Sequence, residues 1–186
     1  VDDEAPRYGF LFAWGIGYRV LAEYYNRNST PNMMDGFAVM TQAFVQAIKP
    51  FNDDHPMFRR DCINMSVNGG KAITDPMHTL TIGTLERITL GIRPFPTGKI
   101  LPGGFNFSAN GMPLYKVAAY TPTLLFGMGD QSQLDFGPQL VCGRQATSLE
   151  CDLTDGFTMD GEVIELPRTS RVKIAAGPVV RFWSRA

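Results

Sequence analysis

Turns dictate what this chain can fold into. From Ser148 onward, Leu149–Leu153, Phe157–Met159, Val163–Leu166, Arg171–Ala175 and Val179–Trp183 are short β-type segments set only a few residues apart. Asp160-Gly161 supplies residues that tolerate the positive φ of a two-residue hairpin, and Asn68-Gly69-Gly70-Lys71 does the same earlier in the chain. Strands this short gain their hydrogen bonds only from neighbours, and tight turns make those neighbours antiparallel. Composition agrees: glycine (19) and proline (13) together make about 17% of 186 residues, against roughly 12% in ordinary chains.

The first third reads differently. Tyr8 to Trp14 (YGFLFAW) is an aromatic and aliphatic strand closed by Gly15 and Gly17. Tyr18, Leu21, Ala22 and Tyr25 then recur at helical spacing until Asn26-Arg27-Asn28-Ser29-Thr30-Pro31 stops them. A second helix is predicted from about Asp35, with Phe37, Met40, Phe44, Val45 and Ile48 on one face, ending at Pro50. Asp61, Ile63, Met65 and Val67 alternate with Cys62, Asn64 and Ser66, the pattern of a half-buried strand. Met77 to Ile92 is β-leaning until Arg93-Pro94-Phe95-Pro96, Phe105 to Ala109 reads as a strand, and Pro113 to Phe126 as a helix interrupted at Pro122. The sum is one α+β domain over residues 1–186, predominantly antiparallel, with two packed sheets in a sandwich-like arrangement and helices mainly near the N-terminus. A chain of this size buries enough surface to need no staples.

Charge and special residues exclude several functions. A net charge of −1 and a pI near 6.1 give no general attraction to nucleic acid or to an anionic membrane. Cys62, Cys142 and Cys151 form no CxxC pair and no metal spacing with His55 and His78, so they read as buried free thiols in a reducing compartment. No apolar run is long enough to span a bilayer, and the acidic start Val1-Asp2-Asp3-Glu4 lacks a signal-peptide profile. The missing initiator methionine fits a processed fragment. Gly91 to Lys99 (GIRPFPTGK) fails the phosphate-loop pattern, since six residues separate its glycine from the Gly-Lys pair and Ile100 stands where Ser or Thr is required. Gly15-Ile16-Gly17 lacks the third glycine of a dinucleotide fingerprint, and no Gly-x-Ser-x-Gly elbow occurs. Asp53-Asp54 beside His55 reads as a solvated acidic pair in a proline-flanked loop.

Two segments stay open to chemistry. Tyr8, Phe10, Phe12 and Trp14 fall on alternate positions of one strand, which is either a core face or the wall of an apolar ligand pocket. In Phe157 to Leu166 (FTMDGEVIEL), Glu162 follows an Asp-Gly turn; it is either an exposed hairpin carboxylate or a general base projected into a cleft.

These segments resemble the C-terminal domain of the diacylglycerol, sphingosine and ceramide kinase family, in its bacterial form. The similar ending is Met159-Asp160-Gly161-Glu162, then Arg171-Val172-Lys173-Ile174, then Pro178-Val179-Val180-Arg181-Phe182. Phe12-Ala13-Trp14-Gly15-Ile16-Gly17-Tyr18-Arg19-Val20 is similar to the strand and glycine turn that open the family's lipid-binding domain, and Thr84 to Phe95 to a connecting segment of some bacterial members. The likeness runs along nearly the whole chain, and its specificity lies in the order and spacing of short motifs.

The resemblance implies a lipid-binding half that phosphorylates a hydroxyl of diacylglycerol, ceramide or a related lipid only beside an N-terminal nucleotide domain in cis. That domain's Gly-Gly-Asp-Gly-Thr motif is absent here, since Gly69-Gly70 and Gly103-Gly104 continue with Lys71 and Phe105. Mg-ATP is implied for the complete enzyme and none for this piece alone. Glu162 and Asp160 are implied as catalytic, Gly161 as lining the nucleotide cleft, and Trp14, Gly15, Tyr18 and Arg19 as substrate-binding. Arg19 stands where sphingosine kinases carry an aspartate, which argues against a free sphingoid amine. Asn110-Gly111 is a fragment of a metal-associated Gly-Asn-Gly loop, and no metal ligand is assigned. The implied location is cytoplasmic, with peripheral contact at the inner face of the membrane; the oligomeric state is left open. Two alternatives are a non-catalytic lipid-binding or regulatory module and a related kinase of a soluble substrate such as NAD.

Overall fold

In the computed structural model, the described residues are 6–27, 56–86, 95, 102–113, 115–116 and 140–178. The second helix expected over 35–50 and the strand expected over 179–183 lie outside them. So does nearly all of the helix expected over 113–126.

The described fold is a two-sheet antiparallel sandwich with one helix near the N-terminus, as the turn pattern requires. Strands β1 (Leu11–Gly15), β4 (Thr79–Gly83), β5 (Phe105–Asn110), β6 (Leu140–Ala146), β8 (Gly156–Met159) and β9 (Glu162–Glu165) form one sheet, in the order β6-β5-β4-β1-β8-β9. Strands β2 (Asp61–Val67), β3 (Ile73–Met77), β7 (Ser148–Leu153) and β10 (Ser170–Ala175) form the other, in the order β10-β7-β2-β3. Helix α1 (Ile16–Arg27) packs on β1, β4, β8 and β9 of the larger sheet.

Burial follows the alternation of each strand. Phe12, Trp14, Leu80, Ile82, Phe105, Phe107 and Ala109 from one sheet meet Ile63, Met65, Met77, Leu149, Cys151 and Leu153 from the other in a single core. Gly143 sits opposite Phe107, and a Cβ there would lie 2.0 Å from the Phe107 ring, so the glycine makes the space that ring occupies. On the other face of the larger sheet, Gly17 of α1 packs on Ala13, and Phe58 and Met57 close a small second core over Ile16 and Val20.

Several sequence expectations are corrected here. The first strand begins at Leu11, and Tyr8 lies ahead of it with 75% of its surface exposed, so the core reading holds for Phe12 and Trp14 but not for Tyr8. The β-leaning stretch from Met77 is not one strand: β3 ends at Met77, and the chain changes sheet at His78 before β4 begins at Thr79. Cys62 is exposed, because it occupies the outward position of β2 beside buried Ile63. Cys151 is buried, and that burial pushes its thiol pKa up to about 12.

The change of sheet at His78 fixes the N-terminal half. His78 donates its backbone N–H to the Asn110 carbonyl (2.7 Å), and its own carbonyl accepts the first helical N–H, that of Ile16 (2.9 Å). Strand β1 therefore passes into α1 with no loop, and Gly15 makes the reversal at φ +75°. A Cβ on Gly15 would lie 2.1 Å from the His78 carbonyl oxygen. Gly69 has a similar φ of +68° with open space around it. Gly69→Ala should thus cost about 1 kcal/mol of backbone strain. Gly15→Ala should cost more than about 3 kcal/mol, because neither backbone can give way. Urea midpoints of the two variants check this.

The outer face of the smaller sheet carries paired charges at directly opposed positions of β7 and β10. Arg171 grips Asp152 through two hydrogen bonds (2.9 and 3.2 Å), and Lys173 meets Glu150 at 2.9 Å. The hydrogen bond from Arg171 holds the Asp152 carboxyl below its ordinary pKa, and that from Lys173 does the same for Glu150. A depressed carboxylate stabilises the fold fully above its unfolded pKa near 4 and loses that contribution as pH falls through the folded value. Stability should accordingly fall between pH 5 and pH 3. The fall should be shallower in Asp152→Asn/Glu150→Gln, and shallower again in high salt, as followed by urea unfolding across that range.

Candidate functional site

The Asp-Gly hairpin is built as its sequence requires and is tied down from two directions. Met159 pairs with Glu162 across the turn, and Asp160 (φ 52°) and Gly161 (φ 93°) occupy its two central positions, both left-handed. The Asp160 carboxylate accepts the backbone N–H groups of Phe10 (2.9 Å) and Leu11 (2.8 Å), and the Asp160 N–H donates back to the Leu11 carbonyl (2.8 Å). From the helix side, the Tyr25 hydroxyl donates to the Gly161 carbonyl at 3.2 Å.

Glu162 is exposed and opens β9, which among the described strands lies at the end of the larger sheet. Residues opposed in an antiparallel ladder share a face. Phe12 opposes Met159, which opposes Glu162, so the glutamate projects on the core side of the larger sheet, away from α1.

The four residues expected to bind substrate lie elsewhere in the hairpin region, and three of them meet one corner. That corner is Thr154-Asp155, where the chain leaves β7 for β8 at Gly156. The indole N–H of Trp14, a residue only 1% exposed, donates to the Thr154 carbonyl at 3.0 Å. The Tyr18 ring covers Gly156, where a Cβ would lie 2.6 Å from it. Arg19 donates to the Asp155 carboxylate from Nε and Nη2 at 3.4 and 3.2 Å. Gly15 instead lies against His78. Glu162 is thus at the tip of the hairpin, and Trp14, Tyr18 and Arg19 are at its base.

Charge at the base is balanced. Arg19 and Arg59 each contact both Asp61 and Asp155, and Arg19 Nη1 also donates to the Arg59 carbonyl at 3.0 Å. Desolvation works against the Arg59 charge, but Asp61 and Asp155 outweigh it and raise its pKa. Burial, then the negative charges of Glu165 and Asp155, raise the pKa of the Tyr18 phenol. Sequence reasoning missed Asp61, Arg59 and Asp155. The available signal was a second Asp-Gly pair, Asp155-Gly156, with Asp155 at φ 65°.

Asn110 is spent on structure: its side-chain oxygen caps the Met112 N–H at 2.9 Å, and its carbonyl accepts from His78. Among the described residues, no group of three or more His, Cys, Asp or Glu side chains is placed to hold a metal. Among the same residues, no helix is long and apolar enough to cross a membrane.

No sequence family and no curated protein matches the chain. Its fold does have solved counterparts. Two structures from Bacillus anthracis strain Sterne, each described as a "putative diacylglycerol kinase", superpose on 92% of this chain. Their TM-scores are 0.54 and 0.56, at 12% and 14% sequence identity. The chain spans about half of each, 51% and 50% of their lengths. At that identity the likeness is one of fold.

The paired arginines and aspartates make the base of the hairpin sensitive to single changes. Arg19→Ala leaves Asp61 and Asp155 without a partner that is nearly buried, with only 10% of its side chain exposed. It should lower stability by about 2 kcal/mol. Arg19→Ala/Asp155→Ala should lose less than the sum of the single variants, because the two share one network. Urea midpoints read at constant slope test both statements.

Proposed function

We propose that this chain is the acceptor-binding half of an ATP-dependent lipid kinase, acting on a hydroxyl of diacylglycerol or a related lipid. The observation that carries the reading is the accessible glutamate behind a firmly held Asp-Gly turn. It occurs on a fold shared with two structures described as putative diacylglycerol kinases. Phosphoryl transfer asks little covalent chemistry of a protein and much positioning. In this reading Glu162 accepts the proton of the lipid hydroxyl as that oxygen bonds to the γ-phosphorus of Mg-ATP, while the bond from that phosphorus to the β,γ-bridging oxygen breaks and ADP leaves. The nucleotide and its metal are bound mainly by a second domain facing the turn. Asp160 and Gly161 shape the turn. Trp14, Gly15, Tyr18 and Arg19 act as the packed frame of the acceptor side. A cytoplasmic protein meeting the inner face of the membrane peripherally is the setting this chemistry needs.

The same exposed glutamate at the tip of a hairpin also fits a second reading, a lipid-binding module without turnover of its own.

Phosphate transfer from radiolabelled ATP to dioleoylglycerol in mixed micelles separates the two. The protein is the native polypeptide carrying this chain, or the chain co-expressed with a diacylglycerol kinase nucleotide domain. The kinase reading expects turnover that falls about 10²- to 10⁴-fold in Glu162→Gln. Lipid binding without turnover supports the module, and turnover undiminished by the substitution removes Glu162 from the base role.

A further inference from the structure

The Tyr25 hydrogen bond falls on one particular peptide unit. The Gly161 carbonyl belongs to the peptide that joins Gly161 to Glu162, so fixing that oxygen fixes the plane from which the Glu162 backbone departs. Gly161, at φ 93°, has open space where a Cβ would stand, and glycine restrains its own backbone least of all residues. Among the described residues, strand β9 pairs with β8 alone, so the described ladder holds the turn from one side. Asp160 anchors the first half of the turn to Phe10 and Leu11, and Tyr25 reaches the second half from α1. The Tyr25 ring is 44% exposed and lies 5.4 Å from the Tyr24 ring at a 53° tilt. Its hydroxyl is therefore directed at the turn rather than drawn into a core.

We infer that Tyr25 is a positioning residue for Glu162: it orients the Gly161–Glu162 peptide and so sets where the carboxylate meets the acceptor hydroxyl. This rests on the reading of Glu162 as the base. Tyr25 acts through the backbone, by its hydrogen bond to the Gly161 carbonyl.

The test uses the micelle assay with Tyr25→Phe, Glu162→Gln, the double variant, and Tyr115→Phe as a control for removing an exposed phenol. Tyr25→Phe should lower kcat about 3- to 10-fold, with KM for both substrates and the melting temperature unchanged. It should cause no further loss in the Glu162→Gln background, since the carboxylate it orients is gone. Tyr115→Phe should behave as wild type. Glu162→Gln inactive with Tyr25→Phe fully active overturns the role of Tyr25 alone. A Tyr25→Phe loss that multiplies undiminished with that of Glu162→Gln also overturns it. Glu162→Gln fully active overturns the base reading, and the positioning role falls with it.

Discussion

The rest of the structure depends on how His78 carries the chain between sheets. This buried residue joins β3 to β4, receives the first N–H of α1 on its carbonyl, and holds β5 through Asn110. Thr79 adds a hydroxyl hydrogen bond to the Trp14 carbonyl at 3.0 Å, tying the end of β1 to the same corner. Arg60 reaches it as well, donating from Nε to His78 Nε2 at 3.1 Å, so that ring nitrogen is the acceptor. Once this corner is set, the position of α1 over β8 and β9 follows, and with it the ties at both ends of the Asp-Gly hairpin.

Asn68 and Asp160 solve one problem in two different turns. Each opens a left-handed Asx-Gly turn and spends its side chain on backbone N–H groups of a distant segment. Asn68 caps Thr147 and Ser148, where β6 crosses into β7, at 2.9 and 3.1 Å; Asp160 caps Phe10 and Leu11. A turn residue chosen for its tolerance of positive φ thus also satisfies donors that a β-sandwich corner leaves without a ladder partner. Asp160 is explained by these hydrogen bonds, whereas Glu162 beside it makes no comparable demand on the fold.

Period-two alternation in Asp61–Val67 and the Asx-Gly turns at 68 and 160 made the strands and hairpins legible, because each reports a local backbone preference. The break at His78 was not legible. Met77 and His78 are both buried, so no exposed residue marks where one strand stops and the next begins. Trp14, Tyr18 and Arg19 were legible as a group on one strand-to-helix segment, but their shared corner was not. Arg19 meets Asp61 and Asp155 from 42 and 136 residues away, and no short-range pattern encodes such partners. The Asp160-Gly161-Glu162 turn stood out for the opposite reason, since its geometry is written in three adjacent residues.

The crossings between sheets have a mechanical consequence. The chain passes from one sheet to the other at His78, at Thr147 and at Thr154-Asp155, each time within one or two residues. Connections that short leave no slack, so neither sheet can slide or lift from the other without pulling hydrogen bonds from both. The two layers behave as one folded ribbon stitched along its creases, a rigid platform to which the Asp-Gly hairpin is anchored at both ends.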